Sequence, residues 1–289
     1  MTRLGIIVNT QRPNSADVLS RVEAWAKKHS WPIVAIERIN AVRTQDYASV
    51  PAERFAGKVD LLLSLGGDGT MLTSARAVSE SGIPILGINL GTLGFLTAAP
   101  PEETELALDR VASGDYVVEE RFMLEVSEED GGSTHWSALN DAVIDKGGIA
   151  RIITVHVHLN GEFLSEIAGD GLIIATPTGS TAYALSVGGP ILWPTMQGFL
   201  TAPISAHTLA QRPMVFRADD SLQVTIVSVA GEAMLTVDGQ WTRKLAPGAK
   251  IGVRKAPYPA RLVNFSGRSF LRVLRSKLHW GLAPGESRP

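Results

Sequence analysis

One glycine-rich segment with a single acid, Gly66-Gly67-Asp68-Gly69-Thr70, has residue types suited to phosphate chemistry. Glycine tolerates positive φ, so such a loop can bring its backbone N–H groups close to phosphate oxygens, and a following helix adds a favourable dipole. A carboxylate would repel a phosphate that is merely bound. Beside a phosphoryl group in transfer, it can instead accept the proton of the attacking hydroxyl. Asp68 is therefore a candidate general base, and a tight turn capped by Asp68 is the alternative.

A second segment, Asp170–Tyr183, joins an acidic turn and an apolar strand to a loop rich in hydroxyl groups. The hydroxyls of Thr178, Ser180 and Thr181 are neutral donors and acceptors suited to adenine, ribose and phosphate edges, and the Tyr183 ring can stack on a base. The segment is typical of a nucleotide-binding loop. A plain Ser/Thr turn before a helix is the alternative.

The elements around the first segment alternate between strand and helix. Apolar runs and helical spacing predict strands at Leu4–Asn9, Val34–Ile39, Lys58–Leu65 and Ile83–Asn89, and helices at Ala16–His29 and Thr70–Ser81. This alternation indicates a parallel, doubly wound sheet, a Rossmann-like α/β domain. The glycine-rich segment would then join a buried strand to a helix.

From about Tyr116 the apolar pattern changes to the period of 2 that is typical of strands. Strands are predicted at Tyr116–Val126, Trp136–Ile144, Ile152–Leu159, Phe163–Ile167, Leu172–Ala175, Pro213–Phe216, Leu222–Val229, Ala233–Val237 and Lys250–Arg254. Asn160-Gly161 between two of them is a strong hairpin signal. We therefore expect an α/β domain over 1–115, a β-rich, sandwich-like domain over 116–265, and a segment over 266–289 that packs back on the first domain.

Composition excludes several classes of protein. With 45% hydrophobic and 19% charged residues the chain is an ordinary globular protein, and with no cysteine it has neither disulfides nor a thiolate site. No apolar stretch reaches the ~20 residues of a membrane span, and Met1–Asn14 lacks a signal-peptide pattern. We expect a cytoplasmic protein without a membrane partner.

Basic residues accumulate after Trp241, where a single acid, Glu286, accompanies them. They are Arg243, Lys244, Lys250, Arg254, Lys255, Arg261, Arg268, Arg272, Arg275, Lys277 and Arg288. A nucleic-acid surface is one interpretation. The overall charge of −2 favours a solvated face or a contact within an oligomer, and we expect no nucleic-acid partner.

Two histidines, His156 and His158, share one face of a predicted strand. A metal pair would need further ligands, and the sequence shows none at a suitable spacing. We expect a packed or solvent-facing pair and no metal site built from protein side chains.

Along nearly its whole length the chain resembles the NAD kinase family. The matching motifs are GGDGT at 66–70, LGINLGTLGFLT at 86–97, LNDAVID at 139–145, GDGLIIATPTGSTAYALSVGGPI at 169–191, AHTLAQRP at 206–213 and VDGQ at 237–240. GGDGT is shared with diacylglycerol, sphingosine and phosphofructo-kinases. The TPTGSTAY block, together with ND and VDGQ, distinguishes the NAD kinases from these other kinases.

The resemblance implies a kinase that transfers the γ-phosphoryl group of ATP, with Mg²⁺ or another divalent cation, to the 2′-hydroxyl of the adenosine ribose of NAD, giving NADP. It implies that Asp68 accepts the proton, that Asp170 binds the nicotinamide end, and that residues near Tyr183 line the adenosine pocket. The implied substrate-binding residues are Gly67, Gly69, Asn89, Phe95, Asn140, Asp141, Arg151, Ala168, Asp170, Thr181, Ala182, Tyr183, Ser186, His207 and Gln240. A homodimer or homotetramer is also implied.

The chain departs from the family pattern at several of these positions. Ala168 stands where some relatives strict for oxidised NAD have arginine, Thr73 where many have a basic residue, and Asp141 where glutamate is commoner. NAD and NADH both stay open as acceptors, as do ATP and inorganic polyphosphate as donors, and inhibition by NADP(H) is open too. The rival functions are a lipid or sugar kinase that shares GGDGT and a non-catalytic sensor of NAD or NADP(H).

Overall fold

The structure is a computed structural model that describes residues 2–40, 51–92, 94–129, 135–147, 152–208, 210–229, 232–267 and 269–278. Arg151, one of the predicted substrate-binding residues, lies outside these ranges.

The described strands form three six-stranded sheets. In chain order they are β1 (Leu4–Asn9), β2 (Ile33–Ile39), β3 (Leu61–Gly66), β4 (Ile85–Asn89), β5 (Val117–Arg121), β6 (Leu124–Glu128), β7 (His135–Ala138), β8 (Asp141–Asp145), β9 (Ile153–Leu159), β10 (Glu162–Gly169), β11 (Gly171–Ala175), β12 (Gly198–Ile204), β13 (Met214–Arg217), β14 (Leu222–Val229), β15 (Ala233–Val237), β16 (Trp241–Leu245), β17 (Lys250–Lys255) and β18 (Ala260–Asn264). The helices described are α1 (Ser15–Lys28), α2 (Asp68–Val78), α3 (Thr104–Ala112), α4 (Tyr183–Ser186) and α5 (Phe270–Leu278), with single 3₁₀ turns at Ala52–Arg54, Ser79–Ser81, Pro101–Glu103 and Gly179–Thr181.

The first sheet has the strand order β2-β1-β3-β4-β18-β5 and is parallel except for β5. Strands β1, β3 and β4 are buried along their whole length, as expected when helices cover both faces of a parallel sheet. Helix α1 packs Val18 and Trp25 into the core on one face, and α2 packs Met71 and Ala75 into the core on the other. The predicted α/β domain is confirmed.

The other two sheets are antiparallel, with the orders β10-β9-β14-β17-β6-β7 and β13-β12-β11-β8-β15-β16. They share one core, to which Val126 and Val155 contribute from the former sheet and Leu172 and Leu235 from the latter. The predicted β-rich, sandwich-like domain is confirmed. At the predicted hairpin, Asn160 and Gly161 have φ of 50° and 85° between β9 and β10, as a type I′ turn requires.

Two predicted strands were wrong in extent, because the chain changes sheet within each of them. Tyr116–Val126 divides into β5 in the first sheet and β6 in the second, and Trp136–Ile144 divides into β7 and β8 in the two antiparallel sheets. Strands β12, β16 and β18 were not predicted. Strand β18 places residues 260–264 between β4 and β5 of the first sheet, so the chain returns to this sheet after building the other two.

After β18 the chain continues into α5, whose Phe270 ring lies 6.2 Å from Phe95 and 5.3 Å from Trp193, centroid to centroid. Over the part of the chain that the structure describes, the helices are too short or too polar to span a bilayer.

Candidate active site

The Asp68 carboxylate is held at the start of α2 by the loop that follows β4. Its Oδ2 accepts a hydrogen bond from the Phe95 N–H at 2.9 Å, and its Oδ1 accepts one from the Leu96 N–H at 3.1 Å. Each carboxylate oxygen has two acceptor positions. The carboxylate is therefore fixed in orientation and keeps one acceptor position on each oxygen for a ligand.

Glycine is required around Asp68 because of space. A Cβ atom on Gly94 would lie 2.0 Å from Asp68 Oδ1, and one on Gly66 would lie 2.0 Å from Thr70 Oγ1. The positive φ that glycine permits is not used in this loop, since Gly66, Gly67 and Gly69 are not among the residues with positive φ. Close approach of neighbouring groups is what excludes a side chain here.

Asn89, predicted as a pocket wall, is buried and organises the loop from within. Its Nδ2 donates to the Thr92 carbonyl at 2.9 Å and to Thr97 Oγ1 at 3.1 Å, and its Oδ1 accepts from the Gly91 N–H at 2.7 Å. These bonds hold the loop that brings the Phe95 N–H to Asp68.

Gln240 connects the glycine-rich loop to the β-rich domain. Its Nε2 donates to the Gly69 carbonyl at 2.8 Å, while its Oε1 accepts from Thr73 Oγ1 at 3.2 Å and also from Arg76. Gln240 follows β15, so these bonds tie the N-terminal part of α2 to the turn between β15 and β16.

The same turn carries Asp238, whose side chain has no exposed surface. Its carboxylate accepts from the N–H groups of Leu139 (3.1 Å), Asn140 (2.7 Å) and Asp141 (3.2 Å), and pairs with Arg76 at 3.2 Å. Burial raises the pKa of Asp238, while the Arg76 charge and the three N–H groups oppose the rise. Asp238 thus holds the predicted Asn140-Asp141 pair in place.

Asn140 and Asp141 lie in a groove that Ala182 and Tyr183 also line. Burial and the negative charge of Asp238 raise the pKa of Asp141 to about 7. A Cβ on Gly179 would lie 2.0 Å from the Asn140 carbonyl oxygen, so the hydroxyl-rich loop packs directly on this pair. The structure therefore brings these predicted residues together.

Two of the hydroxyls expected to face a ligand donate within the loop: Ser180 to the Pro177 carbonyl at 2.6 Å and Thr181 to the Thr178 carbonyl at 3.2 Å. Thr176 donates to the Leu139 carbonyl at 2.5 Å and so ties the loop to the segment before β8. Tyr183 and Ser186 are exposed on α4 and remain available to a ligand.

A second group of predicted residues lies at the opposite end of the same sheet. Asp170 pairs with Lys146 at 2.7 Å, which lowers the pKa of Asp170, and the His207 N–H donates to the Ala168 carbonyl at 2.9 Å. Asp141 on β8 pairs with Ala175 on β11, and Asp170 lies five residues before Ala175 along the chain. At about 3.4 Å per residue, Asp170 and Asp141 are therefore separated by roughly 17 Å along the sheet.

The predicted residues thus form two groups in one chain. The first contains Gly67, Asp68, Gly69, Asn89, Phe95, Asn140, Asp141, Thr181, Ala182, Tyr183, Ser186 and Gln240; the second contains Ala168, Asp170 and His207.

Known proteins match both domains. The ATP-NAD kinase N-terminal domain matches residues 4–116, and the ATP-NAD kinase C-terminal domain matches residues 139–265. The NAD kinase of Heliobacterium modesticaldum is 38% identical over 286 residues, which are 97% of this chain and 100% of that protein. The chain belongs to the ATP-NAD kinase family.

Further relatives agree with this assignment. The NAD kinase of Gemmatimonas aurantiaca is 46% identical over 226 residues, 77% of this chain and 78% of that protein. An NAD kinase from Archaeoglobus fulgidus, solved in complex with ATP, has a TM-score of 0.73 and 27% identity, covering 96% of this chain and 98% of that one. Yeast NADH kinase complexed with NADH shares the fold, with a TM-score of 0.82 at 23% identity over 99% of this chain and 90% of that one.

In this member of the ATP-NAD kinase family, sequence reasoning assigned no role to four charged residues that lie against the predicted residues or their loops: Arg12, Arg76, Arg121 and Asp238. Arg12 follows β1 at the edge of the sheet where β3 and β4 also end, and that position could have been a signal. Each of the other three has a contact with a residue at least 57 positions away, such as Thr178 for Arg121 and Gln240 for Arg76. No local pattern marks such contacts.

The two strand histidines of this family member pack around one ring. His156 Nε2 lies 2.9 Å from Glu166 Oε2, and both imidazoles meet the Phe163 ring edge-on with centroids 5.5 Å apart. Within the described ranges, no group of three or more His, Cys, Asp or Glu side chains could hold a metal ion.

Proposed function

We propose that this member of the ATP-NAD kinase family transfers the γ-phosphoryl group of ATP to the 2′-hydroxyl of the adenosine ribose of NAD, with Asp68 as the proton acceptor. The observation that carries the proposal is the position of Asp68. It lies at the N-terminus of α2, and the backbone N–H groups of Phe95 and Leu96 orient its carboxylate. Such a carboxylate can take a proton, and the helix start beside it favours phosphate.

In the proposed reaction, Asp68 is the protein group that takes up the proton. The ribose 2′-oxygen forms a bond to the γ-phosphorus while the bond from that phosphorus to the β,γ-bridging oxygen breaks and ADP leaves. The proton of the 2′-hydroxyl passes to the free acceptor position of Asp68. Because two N–H groups hold the carboxylate, it needs little reorientation during the step.

A divalent cation that arrives with ATP fits the site. Mg²⁺ usually keeps several waters and binds through one or two carboxylates and substrate phosphates. Asp68 has a free acceptor position on each oxygen, so it could hold the cation on one oxygen and face the hydroxyl with the other. The cation would supply neutralisation of charge on the β- and γ-phosphates.

Arg12 is placed to bind the donor's phosphates at the other side of the glycine-rich loop. A Cβ atom on Gly67 would lie 3.8 Å from its Nη2, and one on Gly91 would lie 3.4 Å from its Nη1. The side chain is exposed and has no ion pair or hydrogen bond with the described residues. An unpaired guanidinium above a phosphate-binding loop is suited to an anionic donor.

The second group of predicted residues supports a homodimer or homotetramer. Asp170 and His207 lie roughly 17 Å along the sheet from Asp141, so a neighbouring subunit could place them beside the Asp68 site of this chain. Tyr183, Met214 and Val215 are each at least 43% exposed on the same domain and offer apolar surface for such a contact. A cytoplasmic location is in keeping with the absence of cysteine.

The test is an assay of the purified protein with Mg-ATP and either NAD or NADH, detecting NADP or NADPH. Wild type should form product, and Asp68→Asn should lower kcat by about 10²–10⁴-fold, the usual contribution of a general base. Asp219→Asn, at an exposed turn, is the matched control and should retain activity. If wild type phosphorylates neither cofactor with any donor, the proposal fails, and lipid and sugar acceptors become the alternatives to assay.

A further inference from the structure

A cavity of about 320 Å³ is lined by Phe95, the residue whose backbone N–H holds the Asp68 carboxylate, and no motif anticipated this cavity. Its walls come from three parts of the chain: Phe95 from the loop after β4, Trp193 from the loop before β12, and Phe270 from α5. The Arg121 side chain lines the same cavity at the end of β5. Among the described residues, its walls therefore combine three aromatic rings with the ion pair of Arg121 and Glu119.

The side chain of Arg121 is buried and makes few hydrogen bonds. The residue is 6% exposed, and its Nη1 donates one long bond to Thr178 Oγ1 at 3.4 Å. Glu119 Oε1 lies 2.6 Å from Nε as an ion pair, yet the Nε–H has no hydrogen-bond partner. A guanidinium has five N–H donors, and among the described residues the polar side chains that pair with or bond to it are those of Glu119 and Thr178.

An under-satisfied buried cation costs free energy unless an anion completes its environment. Burial lowers the pKa of Arg121, and the charges of Glu119 and Asp68 oppose this effect. Arginine keeps its charge despite such a decrease. The cavity thus holds a permanent positive charge beside the carboxylate of Glu119.

Arg121 lies between the two motifs that carry the chemistry. The backbone N–H of Phe95 holds the Asp68 carboxylate while the residue also lines the cavity. On the other side, Thr178, which accepts the hydrogen bond from Arg121, belongs to the hydroxyl-rich loop. The guanidinium is therefore close to the group that accepts the proton.

The cavity is separate from the groove of Asn140, Asp141 and Tyr183, since the two share no lining residue. In phosphoryl transfer, the attacking and leaving oxygens lie on opposite sides of the phosphorus. An acceptor hydroxyl that enters from the groove would meet a donor that enters from another direction. The cavity with Arg121, which shares Phe95 with the Asp68 carboxylate, offers such a direction.

We propose that Arg121 contacts the transferring phosphoryl group and that this cavity receives the polyphosphate end of the donor nucleotide. The inference rests on the proposed function, because it places the donor relative to Asp68. Arg121 forms and breaks no covalent bond; its N–H groups bind the phosphoryl oxygens, on which negative charge is spread during transfer. The competing explanation is a structural ion pair between Arg121 and Glu119.

The experiment compares Arg121→Gln and Arg121→Lys with Arg261→Gln. Arg261 is a matched control because it lies opposite Glu120 on the same strand pair, also has an unbonded buried Nε, and does not line the cavity. Arg121→Gln should lower kcat by about 10³-fold, at the lower end of the range for arginines that contact a transferring phosphoryl group. The dissociation constant for NAD should stay within about 2-fold of wild type, because the substitution removes no contact with bound NAD.

Arg121→Lys keeps the charge but loses the planar fork, so we expect kcat to fall by at least about 10-fold with the thermal midpoint close to that of wild type. The affinity for ADP should weaken in both Arg121 variants and stay unchanged in Arg261→Gln. In Arg121→Gly, added guanidinium ion should restore part of kcat, because the lost group can re-enter the cavity.

The outcomes separate the two proposals. If wild type phosphorylates neither NAD nor NADH, the proposed function itself fails. If wild type is active and Arg121→Lys has unchanged kcat and ADP affinity, the inference is overturned and Arg121 is structural. A lowered thermal midpoint in Arg121→Gln with unchanged kcat would overturn it equally. If Arg121→Gln does not fold, the Arg121→Lys kinetics decide.

Discussion

The Nε2 of Gln240 donates a hydrogen bond to the carbonyl oxygen of Gly69 across 2.8 Å, which joins the turn after β15 to the first turn of α2. Gln240 was expected to contact substrate, yet the residue is only 5% exposed and its side chain is bonded within the protein. It therefore positions the glycine-rich loop relative to the β-rich domain, and through that loop it positions Asp68.

Gln240→Ala should destabilise the protein by about 1–3 kcal/mol, because the Gly69 carbonyl and the Thr73 hydroxyl lose a buried partner. Catalysis should also fall, since the loop that carries Asp68 is released. Urea denaturation and steady-state kinetics measure the two effects. Gln223→Ala, which removes an exposed Gln223–Glu129 bond, is the control; equal effects in both variants would contradict the positioning role.

Gly94→Ala should abolish turnover while leaving the protein folded. The added methyl group would lie 2.0 Å from Asp68 Oδ1 and must displace the carboxylate or the loop. Kinetics and circular dichroism check the result. Gly248→Ala, at an open turn with φ of 88°, controls for general glycine replacement. Wild-type kcat in Gly94→Ala would show that the carboxylate position is not required.

Stability should depend on pH through Asp141. Its pKa is raised from 3.8 to about 7 in the folded protein, so the unfolded chain loses this proton first as pH rises. Asp141 therefore makes the folded state progressively less stable between those two pH values and contributes no further change above them. Asparagine cannot ionise, so Asp141→Asn should gain stability relative to wild type as pH rises from about 5 to about 8.

Urea denaturation of both proteins at each pH measures this difference, with Asp219→Asn as the control for an exposed acid. Parallel pH profiles of wild type and Asp141→Asn would show that Asp141 does not carry a raised pKa.

Arg12→Ala should raise KM for ATP by about 10-fold with little change in KM for NAD, because one charge-assisted phosphate contact of about 1.5–3 kcal/mol is lost. Varying each substrate in turn measures the two constants. Arg38→Ala, on the neighbouring β2, is the control. An equal increase in both constants would contradict a specific contact with the donor.

Two inactive variants should complement each other if the active site is shared between subunits. In a twofold dimer that mixes Asp68→Asn with Asp170→Ala, one of the two sites receives both native residues. Random mixing should then restore about a quarter of wild-type activity. Subunits are mixed under mild denaturation, refolded and assayed, with each variant refolded alone as the control. No recovery from demonstrably mixed oligomers would place Asp170 outside the shared site.

Local patterns were sufficient for much of this protein. The apolar run that ends at Leu65, followed by the glycine-rich segment, indicates a buried parallel strand and the start of a helix, because burial on both faces and helix initiation are properties of neighbouring residues. The Asn160-Gly161 turn could be predicted for the same reason. The order and spacing of the motifs likewise indicate the family, because each motif is a run of neighbouring residues.

The break between β5 and β6 and the return of β18 to the first sheet were decided by the tertiary structure, because strand pairing depends on which distant segments can cover each other. So were the contacts that define the site. The N–H groups that hold Asp68 come from Phe95 and Leu96, and the partner of Gly69 is Gln240, 171 residues away. The sequence by itself determined which residue types are present for phosphoryl transfer, while packing decided which residues meet at Asp68, among them Phe95 and Leu96.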